Sequence, residues 1–120
     1  MHIAHVALFT EDIERSRAFY AKYFSCRAGE KYANAKTGFE SCFLDFASGA
    51  RLEIMKKPGE KPAHNAHFAV SAGNREAVIA LTETLRGDGF AIASAPRVTG
   101  DGYFESCVLD PDGNKIEITE

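Results

Sequence analysis

The sequence predicts an α+β fold built from two tandem modules, each with the element order β-α-β-β-β. Two observations support this prediction. The word FESC occurs at Phe39 and again at Phe104, 65 residues further along a chain of 120 residues. Apolar periodicity and turn residues also give the same order of elements on each side of a lysine-rich segment. A period of this length, seen twice, indicates a duplicated module rather than a solenoid array.

Module 1 starts with an apolar, β-prone segment at residues 2–9. Asp12 is a favourable N-cap for a helix from Ile13 to Phe24, because apolar residues recur there at helical spacing. Three strands are predicted after the helix, with breaks at 34–38 and 47–49 between them: residues 28–33, FESCFLDF at 39–46 and RLEIM at 51–55.

Module 2 follows the segment KKPGEKPA at residues 56–63, whose prolines, glycine and lysines are typical of a linker. Asn74 is a favourable cap for a second helix, and Gly87 is a suitable stop. The strands of this half are predicted as HNAHFAV at 64–70, residues 90–95, YFESCVL at 103–109 and KIEIT at 115–119. Residues 96–102 are predicted as a loop and DPDGN at 110–114 as a tight turn.

Three short motifs match between the two halves in the same order: HVAL with HFAV, FESC with FESC, and LEI with IEI. Their offsets drift by only a few residues, as expected for tandem copies with loops of unequal length. We therefore expect a single domain over residues 1–120. Module 1 spans about residues 1–57, the linker about 56–63 and module 2 about 64–120.

Composition excludes several classes of partner. The formal net charge is −3, with 26% charged and 45% hydrophobic residues, so nothing indicates binding to nucleic acid or to an anionic membrane. No apolar run approaches the roughly 18–20 residues that span a bilayer, and the first residues lack the pattern of a secretion signal. The three cysteines form no CxxC pair and are predicted to be free thiols that pack in the core or fill the surface of a sheet. The expected location is therefore cytoplasmic.

Each module places one histidine in its first strand and one glutamate in its last. Glu53 in LEI and Glu117 in IEI stand between apolar neighbours, so they project from the face opposite to the one that packs under a helix. His5 and His67 can share this uncovered face. One such residue alone is more often structural, but imidazole and carboxylate at equivalent positions of two copies predict a site for divalent Ni, Zn, Co, Fe or Mn.

His2 and His64 repeat as well, because the words HIAH and HNAH each begin and end with histidine. Three residues apart on a strand, they would face away from His5 and His67. We therefore predict that His2 and His64 are not metal ligands.

Several sequence motifs together resemble those of the vicinal oxygen chelate superfamily. They are HVAL with a following D-x-x-x-S-x-x-FY helix, then LEIM, HFAV and the terminal DPDGNKIEI, which is the most specific of them. This superfamily contains glyoxalase I, fosfomycin-resistance thiol transferases, extradiol dioxygenases, methylmalonyl-CoA epimerase and bleomycin-resistance proteins. The resemblance covers essentially the whole chain. It implies curved mixed sheets that form half-barrels around a metal, with the helices on the convex face.

The resemblance also implies a function. The full set His5, Glu53, His67 and Glu117 is closest to glyoxalase I, since bleomycin-binding members usually lack it. A divalent-metal-dependent lyase or isomerase is therefore expected, acting on a small substrate with vicinal oxygens through a metal-stabilised enediolate. Glu117 is the expected base, with Glu53 trans to it. An extradiol dioxygenase is less expected, because a second carboxylate would fill a position that this chemistry leaves open.

Two alternatives stay open at this level. A non-catalytic small-molecule binding or drug-resistance protein of the same fold would keep the architecture without the reaction. The resemblance further implies a homodimer, in which the modules pair either within one chain or between chains.

One departure from glyoxalase I concerns the substrate. Phe9 stands where bacterial glyoxalase I proteins carry an arginine that meets the glutathione carboxylate, and Lys56 and Lys57 replace an expected asparagine. A glutathione hemithioacetal is therefore not the expected substrate, although lactoylglutathione lyase is the nearest reaction type. Five cations could instead meet another anionic substrate or lie solvated in loops: Arg51, Lys56, Lys57, Lys61 and Arg97.

Overall fold

The computed structural model describes residues 2–63, 65 and 67–120. The chain divides into two compact units, Met1–Ala63 and His64–Glu120. Each unit has one helix packed on one mixed sheet, so the α+β fold with two βαβββ modules is confirmed. Neither helix of the described residues is long and apolar enough to cross a membrane.

The first module contains a sheet in the order β1-β5-β4-β2, with β3 also paired to β4. Strand β1 runs parallel to β5, and the remaining pairs are antiparallel. Its elements are β1 (Val6–Phe9), α1 (Ile13–Phe24), β2 (Arg27–Ala28), β3 (Tyr32–Ala33), β4 (Glu40–Asp45) and β5 (Arg51–Lys56). The strand predicted at 28–33 is split in two, because its pairing with β4 shifts by one residue between the pairs Ala28–Leu44 and Tyr32–Ser41.

The second module contains a sheet in the order β6-β9-β8-β7, with β6 parallel to β9. Its elements are β6 (His67–Ser71), α2 (Arg75–Gly87), β7 (Ile92–Val98), β8 (Phe104–Leu109) and β9 (Lys115–Thr119). The loop predicted at 96–102 is partly wrong, because β7 continues through Pro96 to Val98. The register shifts between Ser94 and Arg97, and β7 is an edge strand, which is where a sheet tolerates a proline.

Both helices begin at the predicted caps. The Asp12 side chain accepts from the backbone N–H of Arg15, and the Asn74 side chain accepts from that of Ala77. Gly87 is the last residue of α2 rather than its stop, and the left-handed turn after the helix is made by Gly89 at φ +89°.

The core of each module lies between its helix and one face of its sheet. In module 1, α1 buries Phe19 and Tyr20 above Leu52 and Ile54 of β5. In module 2, α2 buries Val78 and Leu85, and the opposing sheet residues are Val108, Ile116 and Ile118. Because side chains alternate along a strand, the residues between these buried positions project from the other face, which no helix of the same module covers.

The last two strands of each module are joined by the same backbone turn. Phe46 N–H bonds to Ala50 at 3.0 Å in module 1, and Asp110 N–H bonds to Asn114 at 2.9 Å in module 2. Gly49 and Gly113 occupy the third turn position after these residues with φ of +86° and +82°. The turns fix which residues of the two flanking strands lie opposite each other.

This register shows that the two FESC words are not structurally equivalent. Cys42 pairs with Ile54 and is buried on the helix face, whereas Cys107 pairs with Glu117 on the uncovered face. The structural counterpart of Cys107 is Phe43, which pairs with Glu53. A slip of one residue moves a side chain to the other face of a sheet, so alignment on FESC misassigns the faces of β8.

Candidate metal centre

The uncovered face of module 1 carries the first predicted pair. Glu53 lies in the middle of β5, and its backbone is opposite Ala7 of β1 and Phe43 of β4. His5 lies one residue before β1. The His5 Nε2 and Glu53 Oε2 atoms are 3.5 Å apart, with 42% of the histidine side chain and 15% of the glutamate side chain exposed. The His5 ring also meets the Phe43 ring edge-on at 5.3 Å between centroids.

Module 2 repeats this arrangement. His67 is the first residue of β6, and Glu117 is central in β9, opposite Ala69 and Cys107. The His67 Nε2 and Glu117 Oε1 atoms are 3.6 Å apart, and the two side chains are 55% and 29% exposed. The structure therefore brings together the predicted histidine and glutamate within each module, at the same strand register.

The donor chemistry of both pairs fits a divalent transition metal. Each pair is too far apart for a good hydrogen bond, which would need about 2.7–3.2 Å. The separations are close to the roughly 3 Å expected between two ligand atoms that each lie about 2.1 Å from one ion. Imidazole nitrogen and carboxylate oxygen are ligands that suit Zn, Ni, Co, Fe and Mn. Among residues 2–63, 65 and 67–120, no group of three or more His, Cys, Asp or Glu side chains is placed to hold a metal ion.

The two glutamates have different neighbours across the strand. Beside Glu53 stands the Phe43 ring, and beside Glu117 stands the smaller Cys107 side chain. Burial, and then the Glu117 carboxylate, raises the pKa of the Cys107 thiol above its usual value. Cys26 and Cys42 are buried, and burial raises the pKa of the Cys26 thiol to about 11. All three cysteines are free, as predicted, and Cys107 fills the uncovered face of the sheet opposite Glu117 rather than the core.

The other predicted cations have varied surroundings. Lys57 pairs with Glu60 at 3.6 Å, and Arg97 donates to Ser94 Oγ at 2.5 Å, so these side chains meet local partners. Arg51 also has a local partner, because its Nε donates to Asp45 Oδ1 at 2.9 Å. It differs in lying on the same face of β5 as Glu53 and in stacking on the Phe43 ring. His2 is exposed and lies outside any strand, and His64 is outside the described residues.

Comparison with known proteins agrees with the fold and the paired strands. The family model of the Glyoxalase/Bleomycin resistance protein/Dioxygenase superfamily matches residues 2–118. The chain belongs to this superfamily. Members of the superfamily generally bind a divalent metal. No protein of curated function matches the sequence.

Solved structures of the superfamily share the architecture at low sequence identity. A possible glyoxalase from Bacillus cereus superposes with a TM-score of 0.79 at 23% identity, covering 100% of this chain and 99% of that one. The trypanothione-dependent glyoxalase I of Leishmania major gives 0.80 at 22% identity, covering 100% and 86%. Glyoxalase I from Zea mays gives 0.81 at 21% identity, and the match covers 98% of this chain and 44% of the maize chain. At these identities the likeness establishes the superfamily fold alone.

Proposed function

We propose that this member of the glyoxalase superfamily is a divalent-metal-dependent lyase or isomerase that acts on a small substrate with vicinal oxygens. The observation that carries the proposal is the repeated His–Glu pair. His5 with Glu53 and His67 with Glu117 occupy the same strand register in two modules, with N–O separations of 3.5 and 3.6 Å. Two unrelated surface pairs would have no reason to share one register.

The four side chains would hold one metal ion. Two neutral imidazoles and two carboxylates give a set of charge −2, which balances a divalent cation. The bound metal would supply Lewis acidity to the two vicinal oxygens of the substrate, which stabilises the negative charge left when a neighbouring carbon loses a proton. Pairing of the modules within or between chains, and the homodimer, stay predictions.

Glu117 is the proposed base. Its carboxylate would take the proton from the carbon next to the substrate carbonyl, while the electron pair of the broken C–H bond moves onto the substrate oxygen. Returning the same proton to the adjacent carbon, while the substrate hydroxyl proton passes to the former carbonyl oxygen, would complete an isomerisation. Two differences support Glu117 over Glu53: its side chain is 29% exposed against 15%, and its neighbour is Cys107 rather than the bulky Phe43. More room beside Glu117 lets a substrate carbon approach.

Phe9 argues against glutathione as the carrier of the substrate. It is the last residue of β1, opposite Met55, and shares the face of Ala7 and Glu53. A phenyl ring cannot pair with a carboxylate. The charge-assisted hydrogen bond that an arginine would make there is worth roughly 1.5–3 kcal/mol, which corresponds to about one to two orders of magnitude in affinity.

Proton exchange tests the proposal on a class of compounds, so the natural substrate does not have to be identified first. Metal-loaded protein is incubated in D₂O with a panel of small α-hydroxy ketones and aldehydes, and loss of the C–H signal is followed by NMR. We expect catalysed exchange in the native protein. Glu117→Gln should slow it by about 10²–10⁴ per bound metal, the usual contribution of a positioned base. The methylglyoxal–glutathione adduct should be a poor substrate in the same preparation.

The matched control is Glu83→Gln, which removes an exposed carboxylate on α2 that pairs with Arg86. Exchange should be unchanged in this variant. Metal binding without exchange of any compound in the panel would favour the non-catalytic binding protein, and efficient lactoylglutathione formation would restore the narrow glyoxalase I assignment.

A further inference from the structure

A cluster of four side chains lies beside the His5–Glu53 pair in module 1, and none of the four is proposed as a metal ligand. Its members are Arg27, Phe43, Asp45 and Arg51. Arg51 is two residues before Glu53 on β5, so both side chains project from the same face. The Arg51 guanidinium stacks on the Phe43 ring, with Cζ 3.9 Å from the ring centroid. The same ring meets His5 at 5.3 Å. Together these distances keep the guanidinium within about 9 Å of the His5 ring.

Arg51 is held in one orientation with one edge of its guanidinium available. Its Nε donates to Asp45 Oδ1 at 2.9 Å, and the Phe43 ring fixes the plane of the group. Within the described part of the chain, Nη1 and Nη2 have no hydrogen-bond partner. These two nitrogens form the edge that binds a carboxylate through two parallel hydrogen bonds. Because these two contacts restrict the side chain, which is 45% exposed, an arriving anion costs less further rotamer entropy than it would at an uncontacted arginine.

Counted with Arg27, the cluster carries a net charge of +1, because it holds two guanidinium groups and one carboxylate. Asp45 accepts from Arg51 and also from Arg27 Nη2 at 2.6 Å, so one carboxylate serves two guanidinium groups. The carboxylates of the proposed metal site cannot supply the missing negative charge, because a divalent ion would balance them. An anionic group on the substrate would supply this negative charge.

Module 2 does not repeat the cluster. The positions equivalent to Phe43, Asp45 and Arg51 hold Cys107, Leu109 and Lys115, as the strand pairs show. Neither an aromatic ring nor an acceptor therefore stands at these positions to orient Lys115. The anion-binding feature therefore occurs in module 1 and not in module 2.

We infer that Arg51 selects the substrate by binding a carboxylate on the same small molecule whose vicinal oxygens meet the proposed metal. The inference rests on the proposed function, and it assigns the substrate class: compact oxo- or hydroxy-compounds with one carboxylate arm. Phe43 is a positioning residue, since it supports both the Arg51 plane and the His5 ring.

The test measures binding rather than turnover. Monohydroxamates of succinic, glutaric and adipic acid present a vicinal-oxygen chelator and a carboxylate at three separations, and alkyl hydroxamates of the same lengths lack the carboxylate. Dissociation constants are measured by calorimetry on the metal-loaded full chain. For the best length, the charged ligand should bind about 10–100-fold more tightly than its neutral match. Arg51→Met should reduce this ratio to about one, since any change in neutral binding cancels in the ratio, and Arg51→Lys should retain part of it.

Arg75→Met is the matched control. Arg75 also donates through Nε to a carboxylate, Glu120, and lies 4.9 Å from the Phe104 ring centroid, but it sits at the start of α2 on the helix side of its sheet. Its removal changes the net charge equally and should leave the ratio unchanged. A ratio near one in the native protein, or a ratio that survives Arg51→Met, overturns the inference while the proposed function stands. Failure of every hydroxamate to bind overturns both.

Discussion

Replacing His67 by alanine is expected to remove most of the bound metal, with an affinity loss of at least about 100-fold. Loss of an outer-shell partner alone costs 10–100-fold, and His67 is proposed as a direct ligand. The native protein should also melt at a higher temperature when metal is added, because an ion that binds only the folded state stabilises it by about 2.7 kcal/mol at 100 times its dissociation constant. Elemental analysis after dialysis and thermal melting measure the two effects, and His67→Ala should lose both.

His2→Ala is the control for this experiment. It removes the same side chain from an exposed position three residues before His5, and metal content should be unaffected. His5→Ala should behave as His67→Ala does, because the two pairs have equivalent registers. Full metal stoichiometry in His67→Ala would show that the four-residue set is wrong. Loss in His5→Ala alone would confine the metal to module 1.

The elements with strong local signals are the ones that the sequence predicts well. Asp12 and Asn74 cap the two helices as expected, because a short polar acceptor before an apolar period satisfies the free N–H groups of the first turn. Pro96 is the opposite case. It lacks an N–H group and therefore predicts a loop, but an edge strand with a register shift accommodates it. Whether a strand lies at the edge depends on the order of strands in the whole sheet, so the residues around Pro96 alone do not predict it.

The register of the two hairpins can be predicted from their turns but not from the repeated FESC motif. Counting outward from the turn that Asp110 and Asn114 close places Cys107 opposite Glu117, as observed. The identical FESC words instead suggest an offset of 65, although the strand pairs of β4 and β8 differ by 64. Turn geometry constrains register more strongly than a four-letter identity, because the pairing must close at the turn.

The candidate site can be predicted from the sequence only where its residues occur in both modules. His5, Glu53, His67 and Glu117 have counterparts in both modules, and this duplication distinguishes them from ordinary strand residues. The Arg51 cluster lacks that signal, because it occurs in module 1 alone. It depends on a stacking contact and a shared carboxylate, which are tertiary facts that residue type and spacing do not encode.

The turn of module 2 leads to the second large expected effect, a loss of stability in Asp110→Ala. Asp110 is 6% exposed, and its Oδ1 accepts from the backbone N–H groups of Asp112 and Asn114 at 2.9 and 2.8 Å. Its Oδ2 accepts from Asn114 Nδ2 at 2.9 Å. Alanine would leave buried donors without their acceptor. The bond from Asp112 is only part-buried, whereas the two from Asn114 are buried. Each buried loss costs about 1–3 kcal/mol, so we expect a total of roughly 2–6 kcal/mol.

The equivalent turn of module 1 indicates which hydrogen bonds should remain in Asp110→Ala. This turn has Phe46 in place of Asp110 and closes with backbone hydrogen bonds from Phe46 to Ala50 and from Gly49 to Phe46. The turn of module 2 should therefore keep its backbone geometry and the register of Cys107 with Glu117, since the same closing bond is present there. The variant is expected to fold with the same strand pairing but with a lower free energy of unfolding.

Urea unfolding and thermal melting measure this prediction. A loss of roughly 3 kcal/mol corresponds to a fall of about 10 °C in melting temperature for a chain of this size. Asp101→Ala is the control, because the Asp101 carboxylate is exposed and accepts from Thr99 Oγ1 in a surface loop, where a change of less than about 0.5 kcal/mol is expected. Equal stability of the two variants would mean that water replaces the Asp110 acceptors without cost, and the turn of module 2 would then owe its stability to its backbone alone, as in module 1.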